Sequence, residues 1–220
     1  YKRQDKHRRF LGPVVEMRKL HDSAEQRIVH SAEMLDRKSL ASVGDTTGER
    51  LTALLTETKA HTPEELAANV ARIGELLGRF ALYVPARFTD DPAEQAKYWA
   101  VRSGIFPAVG GSRPAGTTCL SEDVAFHIED LPRATAELQA LIARHGYDAC
   151  IYGHALEDNY HFIINQSFSP PAEVARYEAL MNDVAELVSA GTTARSKPSM
   201  ARGATWRPSS AASRATTPWP

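Results

Sequence analysis

Apolar residues recur along this chain with two periods, and the switches between them lay out alternating helices and strands. Leu66, Val70, Ile73 and Leu77 fall on one helical stripe, the spacing of a helix with one face in a core. Thr62, Pro63 and Glu65 supply an N-cap, a first-position proline and a capping acid, and Gly78 supplies the stop. Asp91-Pro92-Ala93-Glu94 repeats this start signal and predicts a helix running past Trp99 to Arg102. Leu131, Ala134, Leu138, Leu141 and Ile142 form another stripe ending near Gly146, and residues 171–188 predict a last helix. Strand-like alternation marks residues 51–60, the Phe80, Leu82, Val84 set ahead of Pro85, and residues 118–128, where Val124, Phe126 and Ile128 share a face. Residues 150–152 and 160–164 are two short strands around a polar loop. Residues 31–43 predict a further helix, and the Gly- and Pro-rich residues 104–118 a loop.

Two strand–helix–strand units in succession predict an α+β domain. The expected form is a ferredoxin-like antiparallel sheet with helices on one face, plus flanking helices and a disordered C-terminal tail. The chain divides accordingly into residues 1–30, a segment without a telling pattern, a domain over 31–190, and a tail over 191–220. The tail holds four prolines and no Leu, Ile, Val or Phe, so it cannot bury enough apolar surface to offset its ordering entropy.

With 220 residues, 43% of them hydrophobic, the chain can bury a core of its own. Two cysteines exclude a disulfide-rich scaffold and any thiolate-only metal cluster. No apolar run reaches the length of a membrane span, and the basic first residues lead into no apolar stretch of a signal peptide. A cytoplasmic protein is expected. The formal net charge of −1 hides an uneven distribution: residues 1–9 carry +4 and residues 191–220 carry +5, which leaves −10 between them. Basic ends read as solvated termini or as arms for an anionic partner. The interior shows neither a basic face nor an aromatic stacking motif, so nucleic acid is not an expected partner.

The richest chemistry lies in residues 152–162, where His154 and His161 bracket Glu157, Asp158 and Asn159. Two imidazoles brought together by a strand–loop–strand could hold a divalent cation, or could simply be hydrogen-bonded. Strand alternation turns His161 away from the side of Tyr160 and Phe162. Arg102, before a Gly-rich stretch, could grip a carboxylate bidentately or remain solvated, and Arg113 has the same two readings. Glu122 and Asp123 could partner an Arg or His, or could be exposed charges of an edge strand. Cys119 and Cys150 read as reduced thiols in strands rather than as ligands.

Residues 99–118, 122–128 and 152–168, taken in order, resemble the C-terminal domain of FAD-linked oxidases. The resemblance is nearest to bacterial D-lactate dehydrogenases that carry a flavin domain before this one and an iron–sulfur domain after it. It implies oxidation of a small D-2-hydroxy acid by hydride transfer to FAD, with this chain as the substrate- and metal-binding cap. It implies His154 and His161 as ligands of a Zn²⁺ or Mn²⁺ ion, Arg102 as the grip on the substrate carboxylate, and Asn159 lining the site. Full-length relatives of this kind would be cytoplasmic or peripheral to the inner membrane.

The chain departs from the family at two places. Asp158 stands where the family usually has Gly. After the last helix the family continues with a segment supplying a Glu ligand and a His base, whereas here residues 191–208 read otherwise. Shifted by one base, permitted codons for Thr192 to Pro208 spell Asp-Gly-Ser-Leu-Lys-Ala-Glu-His-Gly-Thr-Gly-Arg-Asn-Met-Ala-Pro. This implies a one-base frameshift near residue 190. With those two residues missing and no flavin domain in the sequence, no catalytic residue is assigned and the isolated chain is expected to be inactive. The rival readings are a catalytically inactive truncated domain and a ferredoxin-like binding module.

Overall fold

The computed structural model describes residues 2–21, 27–44 and 52–193. It contains a five-stranded sheet, entirely antiparallel, with strand order β2-β1-β4-β5-β3. The strands are β1 (Ser31–Leu35), β2 (Ala53–Glu57), β3 (Thr118–Ala125), β4 (Cys150–His154) and β5 (Asn159–Gln166). The helices are α1 (Lys2–His21), α2 (Arg37–Ser42), α3 (Pro63–Leu77), α4 (Pro92–Gly111), α5 (Leu131–Arg144) and α6 (Pro171–Thr193). This is the α+β architecture expected.

Strand alternation divides the core in two. One sheet face presents Ala32, Met34, Ile151, Tyr160, Phe162 and Ile164 to α1, α3, α5 and α6, forming the larger cluster. The other presents Leu35, Cys150, Tyr152 and Ile163 to Leu40 of α2 and Ile105 of α4. The flanking helices α2 and α4 thus cover part of the second face.

Several elements follow their local signals. Thr62 accepts the Glu65 amide at 3.2 Å while the Glu65 carboxylate accepts the His61 amide at 2.9 Å, with Pro63 as the first residue of α3. Asp91 accepts the Ala93 amide at 2.9 Å and starts α4 in the same way.

Other elements differ from expectation, each for a tertiary reason. Residues 31–43 are not one helix. Ser31–Leu35 is a strand paired on both sides, and Asp36 then caps α2 by accepting the Ser39 amide at 2.8 Å. The alternating Phe80, Leu82 and Val84 form no strand: the segment pairs with neither edge strand, β2 or β3, and Leu82, Tyr83 and Val84 are exposed. Helix α4 runs through the expected loop to Gly111, across Pro107. Packing of Ile105, Val101 and Val109 on the sheet outweighs the hydrogen bond lost at Pro107.

Helix α1, which the sequence left without assignment, carries Val14 and Met17 fully buried into the larger cluster. Each contributes about 1.5–3 kcal/mol by burial. Helix α6 runs to Thr193, so the first three residues of the expected disordered tail are helical. Residues 194–220, with the tail's basic residues and nearly all of the frameshift signature, lie outside the described residues. Among the described residues, no helix is long and apolar enough to cross a membrane.

Candidate functional site

The register of the sheet gathers the polar side chains of its second face. Glu33 on β1 stands opposite His154 on β4. One row along, Tyr152 on β4 and Asp123 on β3 flank His161 on β5. Alternation places these side chains, with Asn159 and Ser121, on the face that α4 crosses. Arg102 reaches the sheet from α4. The expected orientation of His161, away from the buried Tyr160 and Phe162, is what the structure shows.

Glu33 is the centre of the arrangement. Its side chain is only 4% exposed, and it uses both oxygens. Oε1 accepts from His154 Nδ1 at 2.5 Å, and Oε2 accepts from Arg102 Nε at 3.1 Å. The Arg102 guanidinium lies over the Tyr152 ring, 5.0 Å from its centroid, a cation–π contact. Burial pushes the Tyr152 phenol pKa up, and its hydroxyl is hydrogen-bonded with Ser121.

The second histidine repeats the theme at a more open position. His161 Nδ1 donates to Asp123 Oδ1, and the Asp123 side chain is 62% exposed. The two imidazoles meet edge-on, their centroids 5.5 Å apart at 83°. A carboxylate only accepts, so each Nδ1 carries a proton, and in the neutral ring each Nε2 is then the lone-pair nitrogen. Among the described residues, Arg102 likewise has no protein partner on its two Nη nitrogens. A guanidinium fork and two imidazole lone pairs are therefore available on one sheet face.

Among the described residues a complete metal ligand set is not present. Zn–N bonds near 2 Å would place two imidazole centroids on one ion about 5 Å apart, close to the 5.5 Å found. Carboxylates behind both Nδ1 atoms are the usual support for metal-binding histidines. Yet among the described residues no group of three His, Cys, Asp or Glu side chains could hold an ion.

The family model for the C-terminal domain of FAD linked oxidases matches residues 17–192. The chain belongs to this family. The match takes in the last turns of α1 as well as the sheet. Among solved structures, this FAD-linked oxidase domain is similar to 4-ethylphenol oxidase from Gulosibacter chungangensis, solved as an isoeugenol complex. The identity is 12% and the TM-score 0.49, over 83% of this chain and 40% of that one. The chain thus spans two-fifths of the length of that solved structure. No curated protein matches it in sequence.

The sequence candidates in this family member sort as follows. His154, His161 and Arg102 come together. Asn159 opens β5 opposite Ala125, on the same face as His161. Asp123 partners His161, whereas Glu122 points to the opposite face and accepts from the Tyr177 hydroxyl at 2.5 Å. Arg113 folds back onto the carbonyls of Gly110, at 2.5 Å, and Thr117, at 3.1 Å, and so closes the end of α4. Asp158 adopts the left-handed conformation at φ 60° that the family's glycine would accept freely. Cys150 is buried and Cys119 partly so, and burial raises both thiol pKa values, that of Cys150 to about 12.

Sequence reasoning missed Glu33. Its signal was a single acid between Ala32 and Met34 in an otherwise apolar run, the pattern of a strand with one buried charge. A helical reading of 31–43 hid it.

Proposed function

We propose that this domain is the substrate-binding cap of a flavin-dependent oxidoreductase that oxidises a small D-2-hydroxy acid of the lactate type. The observation that supports it best is the pairing on one face of the open Arg102 fork with two histidines whose Nδ1 protons are fixed by carboxylates. A planar carboxylate suits the two Nη donors, which form a bidentate pair with it. A hydroxyl on the adjacent carbon then falls toward the imidazoles. Asn159 supplies an amide at the margin of this face.

An imidazole Nε2 lone pair can take the hydroxyl proton as C2 is oxidised. A Zn²⁺ or Mn²⁺ ion on His154 and His161 would acidify that hydroxyl as a Lewis acid. The shifted frame of the tail would supply the Glu ligand and the His base that the described residues lack. FAD is the electron acceptor that the family implies; its binding is assigned to a flavin domain, and an iron–sulfur domain to longer relatives of this kind.

Titration of the chain with D-lactate, L-lactate and propionate, followed by NMR of the site imidazoles, tests the reading. D-Lactate is expected to bind most tightly, and Arg102→Ala to abolish the preference. Equal binding of D-lactate and propionate, unaffected by Arg102→Ala, would refute it. The coding DNA tests the tail: without a Glu-His-Gly run in the shifted frame, the frameshift reading fails. The isolated chain is expected to show no D-lactate-dependent dye reduction.

A further inference from the structure

We propose that Glu33 is a positioning residue that sets two features of the site at once, the tautomer of His154 and the direction of the Arg102 fork. The inference deepens the reading above and rests on it for the identity of the ligand, but not for the geometry. Glu33 sits in the middle of β1, in register with His154, with strands paired on both of its sides. Its carboxylate is nearly sealed from solvent and has two neighbours, one at each oxygen.

An ionised carboxylate can satisfy both neighbours only in one way. His154 must present Nδ1–H to Oε1, which in the neutral ring makes Nε2 the lone-pair nitrogen. Arg102 must present its Nε–H to Oε2, which leaves the terminal Nη1–Nη2 edge of the guanidinium for another partner. The guanidinium is further fixed by stacking on Tyr152. His161 has a different support, since Asp123 serves that ring alone and from an exposed position. The two imidazoles thus have separate carboxylate partners, and the partner of His154 is the one shared with Arg102.

The substitution Glu33→Gln separates positioning from mere packing, because it conserves shape and hydrogen-bonding capacity. The amide has one acceptor and one donor group in place of two acceptors. Arg102 Nε–H can only donate, so it keeps the amide oxygen. The NH₂ then faces His154, whose Nδ1 must become an acceptor. The ring proton moves to Nε2 and the lone pair there is lost.

Long-range ¹H–¹⁵N correlation spectra of the full chain read this directly, without substrate or metal. Wild-type protein is expected to show His154 as the Nδ1–H tautomer, and Glu33→Gln as the Nε2–H tautomer, with His161 unchanged in both. Binding of Zn²⁺ to the histidine pair is expected to weaken at least about tenfold in the variant. A wild-type His154 in the Nε2–H form would overturn the proposal even if the variant failed to fold. So would a folded Glu33→Gln protein that keeps the Nδ1–H form. Absence of Zn²⁺ binding in wild type would count against the metal reading alone, because the tautomer would still decide the role of Glu33.

Discussion

Arg18 on α1 reaches across the fold to Asp158, its Nη1 lying 3.3 Å from the carboxylate and also donating to the Leu156 carbonyl. The pair ties the first helix to the loop that separates the two site histidines. Removing Arg18 by Arg18→Ala strips the partner from a half-buried carboxylate and from a carbonyl. A loss of about 1–3 kcal/mol in unfolding free energy is expected, measured by urea denaturation.

Asp158 itself carries a pH signature. Burial raises its pKa above the usual carboxylate range, and Arg18 only partly opposes this. The folded state then holds the Asp158 proton to higher pH than the unfolded chain does. Stability from this residue is greatest at acid pH and declines as pH rises through the folded pKa. Asp158→Asn keeps a side chain that tolerates the left-handed turn and removes the decline. The variant is expected to gain in melting temperature relative to wild type as pH is raised from 3 to 7. A gain in the opposite direction would show that the Arg18 pair dominates.

Gly153 allows β4 and β5 to approach. A Cβ there would come 2.7 Å from the Asn159 carbonyl oxygen and 2.9 Å from Tyr160 Cα, at a φ of 153°. Both obstacles are backbone and cannot swing aside. Gly153→Ala is expected to cost roughly 2–4 kcal/mol and to shift the spectra of both His154 and His161. Calorimetry and a histidine-selective NMR spectrum check the two effects separately.

The two thiols are expected to differ in reactivity. Burial holds the Cys150 thiol at about 12, while Cys119 is partly exposed and its pKa is raised to a lesser degree. Iodoacetamide at pH 8 is expected to label Cys119 first and Cys150 only on unfolding, as read by peptide mass spectrometry. Equal rates in the native protein would contradict the burial of β4.

Arg102→Ala leaves the Glu33 carboxylate buried with His154 as its remaining partner. Breaking such a pair on one side is expected to cost about 3 kcal/mol. Arg102→Lys restores charge without the fork, so it is expected to recover stability in part and carboxylate binding poorly. Thermal melts and ligand titrations of the same two variants separate these contributions.

What could be read from the sequence was what local rules decide. Thr62, Pro63 and Glu65 specify the start of α3 within three residues, and the alternation around Tyr160 and Phe162 specifies the direction of His161. Glu33 escaped because β1 is five residues long and owes its extended form to pairing with β2 and β4, which its own local pattern does not reveal. Helix α4 past Arg102 escaped because Gly104, Pro107 and the Gly110-Gly111 pair argue locally against a helix, and only the sheet beneath Ile105 decides otherwise. The reverse error arose at Phe80, Leu82 and Val84, where alternation exists without a neighbouring strand. The site histidines, Arg102 and Asp123 were legible as residue types; Glu33, the carboxylate behind His154, was not, because it comes from a strand 121 positions away.

The seam between β1 and β4 is short, with Glu33–His154, Met34–Gly153 and Leu35–Tyr152 as its registered pairs. It joins the β2-β1 pair to the β4-β5-β3 sheet across 121 positions of sequence between Glu33 and His154. Closing so large a loop is entropically the most demanding step of assembling this sheet. The charged group of Glu33, His154 and Arg102 lies directly on that seam. Docking of the two sheet portions and completion of the site geometry thus depend on the same three residue pairs.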